Sequence, residues 1–387
     1  MKILFIQKMA GISGSEIYFM NIMPELVKKG HDCTFCCVEH PDNSGKNKKF
    51  LKHLSDNGVN YKVIQYTRPI SLPLIWKLHK FIKKGKYDIV QTNLVHADLW
   101  GALIRKFLQP DICLVSVKHG YDEGFQKRHG FDHTKLTKDT FYKVSRFSNK
   151  QMIQSAAISF GLAELLVKGH LIDPDRIQTI HYGFDFSKAK VDKQAAEKYR
   201  FSKNQMVIVG RLIPVKQHHL VIELLPEIIK QVPDVKLVLV GAGDEEDNLH
   251  KQVEQLGVKD HVHFAGFQTN IHDYIYHSDI SLVPSSAEGF GVVILEAWHN
   301  AKPVIAFDVP APNEIIANGE NGYLVTPFDK NELLERILFL LLNKSKAEEM
   351  GQAGLKKLEQ YFTMDVMMDK TLAMYQRALA WKGGVSR

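Results

Sequence analysis

Short apolar runs alternate along the first half of the chain with longer stretches in which apolar residues recur every three or four positions. The runs are rich in branched and aromatic residues, as in KILFIQ (2–7) and TFCCV (34–38). This alternation is typical of buried parallel strands connected by covering helices. It predicts a doubly wound parallel sheet. The predicted strands are 2–7, 34–38, 61–66, 88–93 and 112–117, and the predicted helices are 15–29, 72–84 and 96–108.

The same pattern stops and begins again in the second half. IQTIHYGFD (177–185) closes the first series, and the polar, lysine-rich stretch 187–205 is typical of a linker. The sequence therefore predicts two Rossmann-like α/β domains, 1–186 and 187–363, with a final amphipathic helix over about 364–387. Domains of this kind bind ligands at the carboxyl ends of their strands, so we expect a central cleft between them. Predicted strands of the second domain are 206–210, 235–241, 261–266, 279–284, 303–307 and 322–326.

Composition adds a charge asymmetry to this picture. The chain has 387 residues, and residues 1–190 contain 29 Lys and Arg against 17 Asp and Glu, whereas the remainder has 21 against 26. A basic first domain is expected to meet an anionic surface or substrate, which leaves membrane, nucleic acid and a phosphorylated acceptor open. No run of about 18 apolar residues occurs. Four cysteines, three of them at 33–37, suit a reducing compartment better than a disulfide framework, so we expect a cytoplasmic protein.

Two glutamates flank the apolar segment GFGVVIL. Glu288 precedes it and Glu296 follows, and a helix is predicted over about 291–300. Glycines at a helix start let the backbone approach an anion, and phosphate suits the free N–H groups there. With helical geometry throughout, Glu296 would lie roughly 12 Å along the axis and about 80° around it from Glu288. Two glutamates at this spacing carry little information without a second feature.

That second feature is VGRLIPVK (209–216). Arg211 and Lys216 follow a strand that ends in Gly210. Cations just beyond a strand end suit a diphosphate that is bound and then departs with extra charge. A solvated pair of loop residues is the alternative.

Taken in order, six motifs resemble those of GT-B glycosyltransferases, specifically the large retaining family four, over essentially the whole chain. They are GSE near the start, KHG in mid-chain, GRLxxxK, VGAGDEED, E-GFG-xxxx-E and NGYLVTP. The resemblance implies an N-terminal acceptor-binding domain and a C-terminal domain that binds a nucleotide sugar. It also implies that the last helix packs back on the first domain.

Residue roles follow from the same resemblance. Glu288 would contact the transferred sugar, Glu296 would bind the ribose hydroxyls, and His119 would lie beside the donor sugar. Arg211 and Lys216 would neutralise the departing diphosphate, so that no metal and no other cofactor is expected. Further donor-binding positions are Gly14, Glu16, Gly210, Gly289, Phe290, Gly291 and Val292.

Two segments depart from the family pattern. GISGSE lacks the two adjacent glycines that relatives more often have before Glu16, and HYG (181–183) replaces their PNG. His181 is therefore either a donor contact or an ordinary loop residue.

Three other segments resemble functional motifs but also have ordinary structural interpretations. Asp173-Pro174-Asp175 is read as a turn rather than a metal-binding D-x-D. His129, Asp132 and His133 are read as a solvated loop rather than a metal site. The stretch 70–88 is either an interfacial helix on anionic lipid or a sheet-covering helix with a solvated basic face.

The expected activity is retaining transfer of a hexose or N-acetylhexosamine, from a nucleotide diphosphate sugar that we expect to be UDP-linked. The acceptor would be a hydroxyl of a glycan or glycolipid in cell-surface polysaccharide or lipopolysaccharide synthesis. The basic first domain favours peripheral association with an anionic membrane, and no nucleic-acid motif is present. The alternatives are a non-catalytic GT-B protein that binds nucleotide or anionic membrane, and a nucleotide-sugar epimerase.

Overall fold

The computed structural model describes residues 1–11, 14–186 and 189–384. Outside these ranges lie Ile12 and Ser13 of the GISGSE motif, the start of the predicted linker and the last three residues. The described chain divides into two compact units, residues 1–183 with 364–387, and residues 184–363. The fold class predicted from the sequence, two doubly wound parallel sheets, is confirmed.

The first unit has a seven-stranded parallel sheet in the order β3-β2-β1-β4-β5-β6-β7. Its strands are β1 Lys2–Met9, β2 Asp32–Glu39, β3 Asn60–Gln65, β4 Ile89–Asn93, β5 Leu114–Lys118, β6 Gln154–Ala157 and β7 Ile177–Thr179. Its helices before the second unit are α1 Gly14–Lys28, α2 Lys48–Asp56, α3 Leu72–Gly85, α4 Leu94–Phe107, α5 Glu123–His129, α6 Thr140–Asn149 and α7 Phe160–Lys168. The order of the strands reverses between β1 and β4, and such a switch point is where open α/β sheets bind ligands.

The second unit has a six-stranded parallel sheet in the order β10-β9-β8-β11-β12-β13. Its strands are β8 Asn204–Val209, β9 Val235–Val240, β10 Val262–Gly266, β11 Ile280–Val283, β12 Val304–Phe307 and β13 Gly322–Val325. Its helices are α8 Ala196–Tyr199, α9 His218–Gln231, α10 Glu246–Gln255, α11 Ile271–Tyr276, α12 Val292–His299, α13 Pro312–Ile315, α14 Lys330–Leu342 and α15 Lys344–Tyr361. Here the switch point lies between β8 and β11.

The last helix, α16 Met364–Gly384, belongs to the first unit, where it packs on β5, β6 and α1. Met367 and Tyr375 on this helix are buried. Met368, Met374 and Ala378 are fully buried as well. The helix therefore contributes a whole face to the core of the first unit.

The stretch that the sequence predicted as a linker belongs to the second unit and packs against it. Arg200 donates to Asp279 at 3.0 Å and to the carbonyl of His277 at 2.9 Å. Tyr199 is 4% exposed and its ring lies 4.9 Å from that of Tyr274. The polar composition that suggested a linker reflects a surface segment held by ion pairs and aromatic contacts, and the units divide before it, at Gly183.

All four cysteines are buried thiols outside any disulfide. Burial raises the pKa of Cys33 and of Cys36 to about 12, so both are protonated thiols near neutral pH. They act as small core residues, as the sequence indicated.

Candidate functional site

The predicted chemistry of the second unit gathers at its switch point. Because β8 and β11 are neighbours, the loops that follow them share one edge of the sheet. The first loop holds Arg211 and Lys216 and the second holds Glu288. The loops are joined directly, since the backbone N–H of Ser286 donates to the carbonyl of Val215 at 2.9 Å.

Lys216 and Glu288 form an ion pair of 2.5 Å between Nζ and Oε1. The side chain of Glu288 is 10% exposed and that of Lys216 is 21% exposed, so the pair is largely withdrawn from water. The aliphatic part of Lys216 lies over Gly210, where an added Cβ would come within 3.6 Å of the lysine Cε. Arg211 next to it is exposed. Lys216 is thus fixed beside the carboxylate of Glu288, and Arg211 lies in the same loop as Lys216 with an exposed side chain.

Two glycines of VGAGDEED hold the loop that carries Arg211. A Cβ at Gly241 would lie 1.9 Å from the carbonyl oxygen of Gly210, and one at Gly243 would lie 2.3 Å from that of Leu212. Contacts this short are impossible, so only glycine permits the two loops to pack. The acidic residues that follow include Glu246 and Asp247 in the first turn of α10, where negative charge favours the helix dipole.

The predicted helical relation between the two glutamates is wrong. Helix α12 begins at Val292, and Gly291 before it has φ of 84°, a left-handed conformation that favours glycine. Glu288 therefore lies in a loop, and its separation from Glu296 does not follow helix geometry. Phe290 is 3% exposed and its ring packs near Phe362 at 6.2 Å, so the GFG segment presents backbone rather than an aromatic face.

Glu296 lies half-buried on α12. Burial raises the pKa of its carboxyl to about 7, and the charge of Lys216 opposes that shift in part. Without a ligand the carboxyl is therefore partly protonated near neutral pH. A carboxyl whose pKa is shifted this far by burial is common where a protein binds or reacts.

This raised pKa gives a prediction for stability. Between pH 4.5 and about 7 the folded protein holds a proton that the unfolded chain has lost, so its free energy of unfolding falls as the pH rises through that window. The total loss is on the order of 3 kcal/mol. Glu296→Gln should remove it, and urea unfolding without ligand should find the variant more stable than wild type at pH 8 and nearly equal at pH 4.5.

Glu254→Gln, at an exposed glutamate of α10, is the matched control and should follow wild type. Parallel pH profiles for wild type and Glu296→Gln would contradict the assignment.

In the first unit, His119 follows β5 and has both ring nitrogens hydrogen-bonded. The amide Nδ2 of Asn93 donates to Nε2 at 2.5 Å, so Nδ1 carries the hydrogen and donates to the hydroxyl of Tyr182 at 2.6 Å. Burial, with the charge of Lys118, lowers the pKa of His119 to about 3. The imidazole is neutral near pH 7, and its predicted place beside the donor sugar stays a prediction.

Asn93 belongs to a hydrogen-bonded chain that reaches the last helix. Its Oδ1 accepts from Nε2 of Gln91 at 3.0 Å, and Oε1 of Gln91 accepts from the hydroxyl of Tyr375 at 2.5 Å. The sequence did not single out Asn93, Gln91 or Tyr182. Only Tyr182 carried any signal, because it occupies the middle of the HYG segment that departs from the family pattern.

A buried ion pair lies beside His119. Lys118 Nζ is 2.5 Å from Oδ2 of Asp98, and both side chains are at most 7% exposed. The other carboxylate oxygen accepts from the hydroxyls of Thr92 at 2.5 Å and Ser116 at 2.8 Å. Every oxygen of Asp98 is therefore occupied, which is the condition under which a buried charge is tolerated.

The predicted N-terminal positions differ from each other. Gly14 begins α1, and an added Cβ there would meet nothing within 4 Å. Glu16 is 4% exposed and accepts a short hydrogen bond from Gln7 of β1. The structure thus places Glu16 in the interior beside β1, and its predicted role in donor binding stays a prediction.

Of the remaining motif residues, Asp173, Asp132 and His133 lie at turns, whereas His129, which the sequence placed in a loop, is the last residue of helix α5. Asp173 precedes a short 3₁₀ turn and pairs with Arg176 at 3.9 Å. Asp132 caps a turn through the N–H of Thr134 at 2.9 Å. Within residues 1–11, 14–186 and 189–384, no group of three or more His, Cys, Asp or Glu could hold a metal ion.

A cavity of about 260 Å³ lies in the segment after His119. Aromatic rings and charged groups share its wall, and Tyr121 stands edge-on to Phe125 and Phe141, with ring centroids 5.5 and 4.9 Å away. Its lining is Tyr121, Asp122, Phe125, Arg128, His129, Leu136, Thr137, Asp139 and Phe141.

Comparison with known proteins identifies the family of the chain. A model of the group 1 glycosyl transferases matches residues 191–357, and a model of glycosyltransferase family 4 matches residues 12–188. The chain is 25% identical over 377 residues to N-acetyl-α-D-glucosaminyl L-malate synthase of Bacillus anthracis, with 95% of each chain covered. It is 26% identical over 387 residues to the UDP-Gal:α-D-GlcNAc-diphosphoundecaprenol α-1,3-galactosyltransferase of Escherichia coli, covering 97% of this chain and 96% of that one.

Among solved structures, Anabaena HepE in complex with UDP has a TM-score of 0.80 at 23% identity, covering 96% of this chain and 99% of that one. Two parallel Rossmann-like sheets with candidate groups at their switch points define a GT-B glycosyltransferase. The chain belongs to group 1 of these enzymes, with the family 4 model matching its N-terminal half. The family predicted from the sequence motifs is confirmed.

Proposed function

We propose that the protein is a retaining, metal-independent glycosyltransferase that moves a hexose or N-acetylhexosamine from a UDP-linked donor to a hydroxyl of a membrane-borne glycan or glycolipid. The observation that carries the proposal is the Lys216–Glu288 pair at the switch point of the second unit, with the exposed Arg211 in the same loop. This arrangement offers positive charge for a diphosphate and a carboxylate for a sugar hydroxyl.

The proposed transfer reaction needs few groups from the protein beyond these charges. The bond between C1 of the sugar and the diphosphate oxygen breaks, and its electron pair leaves on the diphosphate. Positive charge develops on the sugar ring while Arg211 and Lys216 stabilise the leaving group. The acceptor oxygen bonds to C1 on the face that the diphosphate vacates, and its proton passes to a departing diphosphate oxygen. No protein nucleophile takes part, and the configuration at C1 is retained.

Arg211 and Lys216 supply the charge that a divalent cation would otherwise provide, which supports metal independence. Glu296, when ionised, is suited to accept hydrogen bonds from the two ribose hydroxyls. Nucleotide affinity should therefore depend on Glu296, whereas the rate of transfer should depend on Glu288.

Relatives support the donor and acceptor classes. The Escherichia coli relative is named for a UDP-galactose donor, a GlcNAc-diphosphoundecaprenol acceptor and an α-1,3 linkage. Solved neighbours include HepE with UDP-glucose and the lipopolysaccharide outer core galactosyltransferase WaaB. UDP-hexoses of this kind carry the diphosphate in the α configuration, so α-linked products correspond to retention.

The acceptor is expected to meet the first unit. Its cavity after His119 has the aromatic rings and paired polar groups that sugar recognition uses, with Tyr121 at the wall. We propose that this cavity takes part of the acceptor glycan.

The test is slow hydrolysis of candidate UDP-sugars by the purified protein in EDTA, followed by NMR of the released sugar. We expect one UDP-sugar to be cleaved, with the α anomer appearing first. Release of the β anomer would overturn retention, and activity only after Mg²⁺ or Mn²⁺ is restored would overturn metal independence. Absence of both binding and cleavage for every UDP-sugar would overturn the proposed donor class.

A further inference from the structure

The stretch from Asn57 to Tyr87 carries positive charge and no acidic side chain. It contains seven Lys and Arg residues and no Asp or Glu. Helix α3 occupies its second half, with the sequence LPLIWKLHKFIKKG. The sequence left two interpretations of this helix open, and the positions of its apolar residues bear on both.

One face of α3 covers the sheet in the ordinary way. Leu74, Leu78 and Ile82 are at most 2% exposed and belong to a core cluster with residues of β1, β2 and β4. Burial of the helix is therefore already complete without Trp76 or Leu72. These two residues are not needed to hold α3 in place.

The opposite face combines exposed apolar residues with lysines. Trp76 is 51% exposed and Leu72 is 77% exposed, and Ile70, two residues before the helix, is 59% exposed. Successive residues of a helix are rotated by about 100° around its axis. Counted from Leu72, Lys83 and Trp76 lie within about 40° around the axis of α3, and the other lysines of the helix lie within about 140°. The exposed lysines of α3 are Lys77, Lys80, Lys83 and Lys84, and the exposed Lys86 follows directly after the helix.

A face of this composition is unfavourable in water and suited to contact with a lipid bilayer. Exposed large apolar residues in a cluster mark interaction surfaces, and uncompensated lysines repel one another. An anionic bilayer relieves both effects, because the aliphatic and indole groups enter the headgroup region while the lysine ammonium groups meet lipid phosphates. Among the described residues, none of the helices combines the length and the apolar composition that a membrane-spanning helix needs.

We propose that this face, Ile70, Leu72, Trp76 and the lysines of α3, docks the protein on an anionic lipid bilayer. Below it is called the α3 face. The inference deepens the proposed function and rests on it in one respect, since a membrane-borne acceptor gives docking its purpose. Attraction of lysines to anionic headgroups is screened by salt, whereas insertion of Trp76 and Leu72 is not, so the two contributions can be separated.

The test uses the full-length protein and sedimentation with vesicles of phosphatidylcholine alone or mixed three to one with phosphatidylglycerol. Wild type should bind the anionic vesicles at least tenfold more tightly, and added salt should weaken that binding. Lys80→Glu with Lys84→Glu should reduce it at least tenfold, and Trp76→Ala should reduce it severalfold at every salt concentration.

Matched variants change the same chemistry elsewhere. Lys251→Glu with Lys259→Glu makes the same charge change at exposed lysines of the second unit, and Leu342→Ala removes an exposed apolar side chain there. Both should bind vesicles as wild type does. Equal binding by the α3 variants, or equal binding of wild type to neutral and anionic vesicles, would overturn the proposal.

Other occupants give different results. A surface that joins two copies of the chain would show a monomer on ultracentrifugation of Trp76→Ala and a dimer for wild type, without vesicle binding. A nucleic-acid surface would show retention of duplex DNA in place of vesicles. Hydrolysis of UDP-sugar in solution is measured in parallel, so a failure of the proposed enzyme chemistry appears there while vesicle binding is judged by itself.

Discussion

Glu288→Gln is expected to lower the rate of sugar transfer by roughly 10²- to 10³-fold, the usual cost of losing one electrostatic group that acts on the transition state. Glutamine keeps the size of the side chain but loses the charge that holds Lys216 at 2.5 Å. Lys216 is then free to move away from the diphosphate, and the sugar loses a carboxylate partner. Isothermal titration with UDP should show a much smaller loss of affinity than of transfer rate, because the ribose site at Glu296 is intact.

Glu223→Gln is the matched control for this experiment. Glu223 forms an ion pair with Lys330 at the same distance of 2.5 Å, but both side chains are more than 40% exposed. Its loss should leave the transfer rate and the UDP affinity unchanged. Near-full activity of Glu288→Gln would remove Glu288 from the mechanism, and equal losses in both variants would point to a general effect of charge.

Asp98→Ala is expected to reduce the free energy of unfolding by about 3 to 5 kcal/mol, because it leaves the ammonium group of Lys118 buried without a partner. The hydroxyls of Thr92 and Ser116 lose their acceptor at the same time. Urea denaturation at pH 7 measures the change. His119 follows Lys118 directly, so a loss of transfer activity should accompany the loss of stability.

Two further variants separate the ion pair from a simple packing defect. Asp56→Ala removes an exposed carboxylate that is paired with Lys52 at 2.8 Å, and should change stability by less than about 1 kcal/mol. Combining Asp98→Leu with Lys118→Met replaces the pair by apolar groups and should recover most of the stability. If the double variant is as unstable as Asp98→Ala, the cost arises from lost packing or from the unpaired hydroxyls of Thr92 and Ser116, and not from the unpaired charge.

The sequence predicted the sheets well because their strands are nearly continuous apolar runs. β6 is the exception, since Gln154–Ala157 reads QSAA and contains no large apolar residue. It is nevertheless buried along its whole length, where small side chains allow α16 to pack close. A strand whose burial depends on a helix more than 200 residues away leaves no local pattern.

Local motifs found the candidate groups but not their geometry. The assumption of a continuous helix failed at Gly291, where one left-handed residue delays the start of α12 and leaves Glu288 in a loop. The partners of His119 were missed for another reason. Asn93 and Tyr182 lie 26 and 63 residues away in sequence, and polar residues at strand ends are too common to stand out.

The last helix has a consequence for how the protein is made. The sheet of the first unit is complete at β7, yet Gln91 accepts a hydrogen bond from the hydroxyl of Tyr375 on α16, and Met368 and Met374 of that helix are fully buried. The ribosome translates the whole second unit before it translates α16. During synthesis, therefore, the surface of the first unit that α16 covers stays exposed to solvent while the second unit is translated. A fragment ending at Gly183 should need a chaperone or a separately supplied α16 to stay in solution.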